Sequence, residues 1–215
     1  MIEITLTYLR LALRQRSHWL SLAFSAAAWP LALLFSPLAG SLSDTRATSL
    51  AKEVAFVCVL ASLVLAEKKQ ADYGWLGVRL SQLQRLFAGF ATRTLLGLCA
   101  GCLALLPATL LGGRLGLDSY LKLAFCSAHL AALYLLLQPV CFRANARSVL
   151  VLFLALAVPA SVQGEPGPLR ALQSLLDPRV LNFSAAPIWT VSGVQVASIG
   201  TLLLFSTLVG ARRAC

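Results

Sequence analysis

Long apolar runs divide this chain, and its basic residues fall on alternate sides of them. The even-numbered gaps and both tails hold Arg10, Arg14, Arg16, Lys68, Lys69, Arg79, Arg85, Arg93, Arg143, Arg147, Arg212 and Arg213. The odd-numbered gaps hold Arg46, Lys52, Arg114, Lys122, Arg170 and Arg179. Lys and Arg collect in cytoplasmic loops, so twelve against six, with both tails on the richer side, predicts six membrane crossings and cytoplasmic termini. Acidic residues sharpen the contrast. The richer side carries only Glu3, Glu67 and Asp72, for a net +9, whereas Asp44, Glu53, Asp118, Glu165 and Asp177 bring the other side to +1. The total charge of +10 is therefore topological. It is not the footprint of nucleic-acid binding, which needs a basic face in water.

Composition agrees with a lipid environment. Mean hydropathy is +0.81 and 12% of residues are charged, about half the share of an ordinary soluble domain. Six helices with short loops use up 215 residues, so residues 1–215 read as one all-α polytopic domain with no separate soluble enzyme domain. The N-terminus lacks the pattern of a cleavable signal and is expected to be part of the mature fold.

Residues 2–16 read as an interfacial helix: Ile2, Leu6, Leu9 and Leu13 share a stripe, with Glu3, Thr7, Arg10 and Arg14 beside it. The alternative is a cytoplasmic extension of the first crossing. That crossing is expected from Trp19 to Leu38, with Pro30 and Pro37 kinking or ending it. In the second, the uncharged stretch Val54–Ala66 has thirteen residues, about 20 Å of helix against a hydrocarbon core of about 30 Å. The helix must then take in Lys52 and Glu53, either as a snorkelling pair or as a charged lining at the mouth of a transport path.

Residues 67–93 form the longest inner segment. The turn-forming Asp72-Tyr73-Gly74-Trp75 precedes Leu76, Leu80, Leu83 and Phe87 at helical spacing, with Arg79, Gln82 and Arg85 on other faces. Such an amphipathic helix needs a partner surface. The third crossing, Thr94–Leu111, contains Gly97 and Gly101 at a spacing that lets helices approach closely. The fourth is expected over Leu121–Phe142 and a short fifth over Val149–Val162. Proline-bracketed residues 164–189 read as an outer, re-entrant-like segment, and Thr190–Ala211 as the sixth crossing.

Chemistry-bearing motifs are few. Cys99-Ala100-Gly101-Cys102 has redox-like spacing, but it sits in an apolar helix where small side chains serve packing. His129 lies mid-helix in the fourth crossing, where it makes either a structural hydrogen bond or a ligand or proton site. His18 reads as a polar anchor at the inner interface. Two distant histidines make no zinc site, and no phosphate-loop or serine-nucleophile motif occurs.

The layout resembles the six-helix permeases of ABC-2 exporters, and is most similar to the CcmB-type permease of cytochrome c maturation. Leu60 to Leu76 carry the resemblance: an apolar helix end meets Glu67, a mixed-charge stretch, then Asp72-x-Gly74-x-Leu76. Gly113 also falls where that family's third helix ends. The chain departs from the family at Gly77, where an acid is usual, and lacks a proline after the coupling segment. The resemblance implies a non-enzymatic subunit of the bacterial cytoplasmic membrane, with ATP bound and hydrolysed on a partner ABC ATPase. It implies that Asp72, Gly74, Leu76, Arg79, Leu80, Leu83 and Arg85 couple to that ATPase, in a homodimer or heteromeric complex. It also implies no directly bound cofactor and haem as a substrate. Lys52, Glu53 and His129 are then the pathway residues. Two rivals remain: a membrane thiol or quinone oxidoreductase using Cys99 and Cys102, and a non-transporting scaffold.

Overall fold

The computed structural model describes residues 2–14, 16–35, 44–65, 81–110, 115–137 and 188–211. The expected fifth crossing, the outer segment up to residue 187, and Asp72, Gly74, Leu76, Arg79 and Leu80 lie outside the described residues.

All described elements are helices: α1 (Ile2–Leu13), α2 (Arg16–Phe35), α3 (Asp44–Leu65), α4 (Gln82–Leu110), α5 (Leu117–Leu137) and α6 (Ile188–Ala211). Leu86–Leu110 and Leu117–Leu137 are long and apolar enough to cross a membrane, and Gly193–Leu208 is a shorter apolar stretch. The chain is thus an α-helical protein with membrane-type helices.

α1 is a helix in its own right. The Arg14 amide still donates to Arg10, and the Trp19 indole N–H donates 2.7 Å to the Leu13 carbonyl, one of the acceptors that a helix end leaves open. α2 runs through Pro30 to Phe35, so that proline does not end the helix. His18 is buried while Trp19 is exposed. Neighbouring helix positions are about 100° apart, which turns the His18 side chain in among the helices while Trp19 faces out. α3 takes in Lys52 and Glu53, and its 22 residues give roughly 33 Å of helix.

The beginning of α4 differs from the sequence expectation. Instead of one amphipathic helix through Leu76–Phe87 and a separate crossing from Thr94, a single helix of 29 residues starts at Gln82. Ser81 caps it: the Gln84 amide donates 3.2 Å to Ser81 Oγ, and the Ser81 amide donates 3.0 Å to Gln84 Oε1. This reciprocal pair satisfies donors that the first turn cannot pair internally. Leu83 and Phe87 are therefore the exposed start of α4.

α4 is the hub, touching all five other helices. Its two glycines sit where α3 and α5 close in. A Cβ on Gly101 would lie 2.8 Å from Leu123 and 3.0 Å from Val59, and one on Gly97 would strike Ser127 and Val59. Ser127 Oγ donates 2.8 Å to the Thr94 carbonyl, tying α5 to the same turn. The main core of Phe56, Val59, Leu63, Leu105, Leu130 and Tyr134 fills the space between α3, α4 and α5.

Pairing along the bundle fixes direction. Gly89 lies beside Leu135, and Gly101 beside Leu123, so α4 and α5 are antiparallel. Ser206 Oγ donates 3.3 Å to the Leu135 carbonyl, and one turn earlier on both helices Leu202 joins Ala132 and Leu133. α5 and α6 are parallel.

Candidate functional site

Polar side chains buried among apolar helices are costly unless something answers them, so they mark where a bundle of this type does its work. Three levels along α5 carry them. Lys122 lies near its start, His129 about 10 Å further along, and Tyr134 about 7 Å beyond that.

At the first level, α3, α4 and α5 enclose a small recess with room for about one water molecule. Lys52, Ser119 and Lys122 line it together with Phe56, Leu105 and Leu123. Lys122 is buried and its Nζ lies 2.9 Å from Asp118 Oδ2. The i,i+4 spacing makes that pair, and the first turn of α5 is also where the helix dipole favours a carboxylate. Next to the recess, the hydroxyls of Thr109 and Tyr120 meet at 2.8 Å, joining the end of α4 to the start of α5.

At the middle level, His129 has no exposed surface. Ala132 and Leu133, three and four positions on, face α6, so His129 shares that face. The parallel register puts it near the level of the buried Ser198 of α6. His129 also lies one and two turns on from Cys126 and Lys122, which line the Lys52 recess, but is not itself part of that lining. Glu53 is exposed and does not line the recess.

At the third level, Arg93 is buried within α4. Its guanidinium stands 5.0 Å above the Tyr134 ring, and Nη1 donates 3.3 Å to the Gly89 carbonyl. Gly89 makes room for it, since a Cβ there would lie 2.9 Å from Nη1. The sequence reading treated Arg93 and Lys122 as loop charges and missed both. Apolar residues Leu86 to Phe90 upstream of Arg93, and Asp118 four positions before Lys122, were the available signals.

Arg93 lies near the middle of α4, roughly 18 Å along the helix from Leu105 at the Lys52–Lys122 recess. Of the coupling residues, Leu83 is 54% exposed and Arg85 lies in the second turn of α4. Cys99 is exposed and Cys102 half-buried, both as free thiols. Among the described residues no three His, Cys, Asp or Glu side chains gather closely enough to hold a metal.

Known proteins offer no match to this chain, whether as family models, curated sequences or solved structures. Its function has to be argued from the site.

Proposed function

We propose that this chain is the membrane-embedded permease subunit of an ATP-driven exporter, driven by a separate ATPase that docks on residues 67–93. The shape of α4 carries the reading. Its 29 residues extend roughly 43 Å, about 13 Å more than a hydrocarbon core requires. The capped end at Ser81 is where the surplus lies, and it displays Leu83 and Phe87. A push there moves the whole of α4, because a capped, continuous helix transmits displacement along its axis. α3 and α5 must follow, since Gly97 and Gly101 leave no slack between them.

In this account Asp72, Gly74, Leu76, Arg79 and Leu80 complete the docking surface, and Arg85 adds a basic contact. The parallel course of α5 and α6 supports a further crossing between them, because the chain must return before α6 begins. Six crossings then place both termini in the cytoplasm of a bacterial inner membrane. Two such subunits would enclose a substrate path, with haem or another cytochrome c maturation intermediate as the cargo class.

The chain is to be purified from native membranes in mild detergent, with and without nucleotide. A phosphate-loop ATPase copurifies with the wild-type chain and is lost from Leu83→Glu, an exposed position where the change spares the core. Absence of any ATPase in both nucleotide states would rule the reading out in favour of a scaffold.

A further inference from the structure

α1 packs on the bundle by one side and leaves the other uncovered. Ala12 has no exposed surface and Leu9 and Leu13 are half-buried, on the side where α1 meets α4 and α2. Ile2, Glu3, Leu6, Thr7, Arg10 and Arg14 are all exposed. At about 100° per residue, Ile2 and Leu6 form one edge of this uncovered face, and Thr7, Arg10 and Arg14 form the other. Two edges thus run side by side along the helix, one apolar and one basic.

α2 continues both edges. Arg16, its first residue, is exposed, and Trp19 and Leu20 turn outward beside it, 60% and 70% exposed. The bond from the Trp19 indole to the Leu13 carbonyl fixes the elbow between the helices, so Arg14 and Arg16 flank a braced joint. From Thr7 to Leu20 there are three arginines and no acid, and none of the three has an ion pair among the described residues. A helix lying in the plane of a bilayer surface needs this division, with an apolar edge among acyl chains and guanidinium groups among head groups. A zwitterionic head group offers this elbow no net charge in return, whereas an anionic one does.

We propose that the α1–α2 elbow is a docking surface for anionic phospholipid of the leaflet on the N-terminal side. Arg10, Arg14 and Arg16 hold the phosphates, for which the planar guanidinium fork is suited, and Ile2, Leu6 and Trp19 sit among the acyl chains. The surface requires no nucleotide and no ATPase. It stands apart from the exporter reading and is tested on the isolated chain.

Trp19 is a local reporter, because its indole bonds the carbonyl just before Arg14. The full-length chain carrying Trp29→Phe, Trp75→Phe and Trp189→Phe is reconstituted in mixed bilayers with brominated lipids, which quench tryptophan on contact. Brominated dioleoyl phosphatidylglycerol should outcompete brominated dioleoyl phosphatidylcholine around Trp19 by about fivefold or more, the worth of one arginine at an anionic surface. Arg10→Gln, Arg14→Gln and Arg16→Gln together should bring the two lipids to parity. Lys52→Gln, the same charge change on α3 away from the elbow, should leave the preference intact. Native mass spectrometry of the chain with all its tryptophans, in neutral detergent, gives a second reading: the triple arginine variant should retain fewer phosphatidylglycerol molecules than wild type. Equal quenching by the two lipids in the wild-type elbow, or a preference that survives the triple variant, would overturn the proposal. Quenching by neither lipid would mean that protein covers the elbow, and would overturn it as well.

Discussion

At Gly97 one methyl group decides whether three helices meet. Its missing side chain admits both Val59 and Ser127, and Ser127 cannot retreat without giving up its bond to the Thr94 carbonyl. Gly97→Ala is therefore expected to destabilise the bundle by about 1–3 kcal/mol, the usual cost of overpacking. Gly200 faces open space on α6, and Gly200→Ala should be neutral or add about 0.5–1 kcal/mol from helix propensity. Thermal unfolding in detergent separates the two, and equal Tm shifts would contradict the packing account. The Arg93–Tyr134 contact can be tested in the same way. The Tyr134 hydroxyl has no hydrogen bond among the described residues, so Tyr134→Phe should behave like wild type. Tyr134→Leu removes the ring face under a buried guanidinium and should cost about 2 kcal/mol.

Among the elements, α4 has the most consequences. Ser81→Ala breaks the reciprocal cap and should cost about 1 kcal/mol. The loss should appear as faster amide exchange confined to the first turns of α4, because Leu96 to Leu105 remain clamped by α3 and α5. Exchange rising evenly along α4 would mean that the cap is not what fixes its start. Much of this architecture was legible in the sequence. Apolar length and charged ends located α2, α5 and α6 to within a few residues, whereas α3 begins at Asp44, eight residues before Lys52; the Gly97–Gly101 spacing marked the close approach. What escaped was the phase of the chain around residue 81. Leu76, Leu80, Leu83 and Phe87 keep a helical interval, and that interval hides the break which Ser81-x-x-Gln84 imposes. Lys122 and Arg93 escaped for a related reason. Charge counting assigns a cation to a loop, whereas Asp118 and the Tyr134 ring allow these two to be buried inside helices.

For the molecule as a whole, the structure keeps Lys52 and Lys122 apart from Arg93 along the bundle. The alternation of basic residues asks for that separation. With α5 and α6 parallel, an even number of crossings leaves both tails on one side. Single cysteines added after Met1 and after Cys215, in a chain whose native cysteines are replaced by alanine, should both be shielded from a membrane-impermeant thiol reagent in intact cells. Labelling of only one tail would break the six-crossing scheme. The same cysteine-free background tests the redox rival, because losing Cys99 and Cys102 should leave ATPase association intact. All of these features serve one mechanical claim, that another protein pushes on the exposed start of α4. A photo-crosslinking amino acid at position 83 addresses it within native membranes. The account predicts a covalent adduct with an ATPase subunit whose yield changes with the bound nucleotide. Adducts with lipid alone, in every nucleotide state, would contradict it.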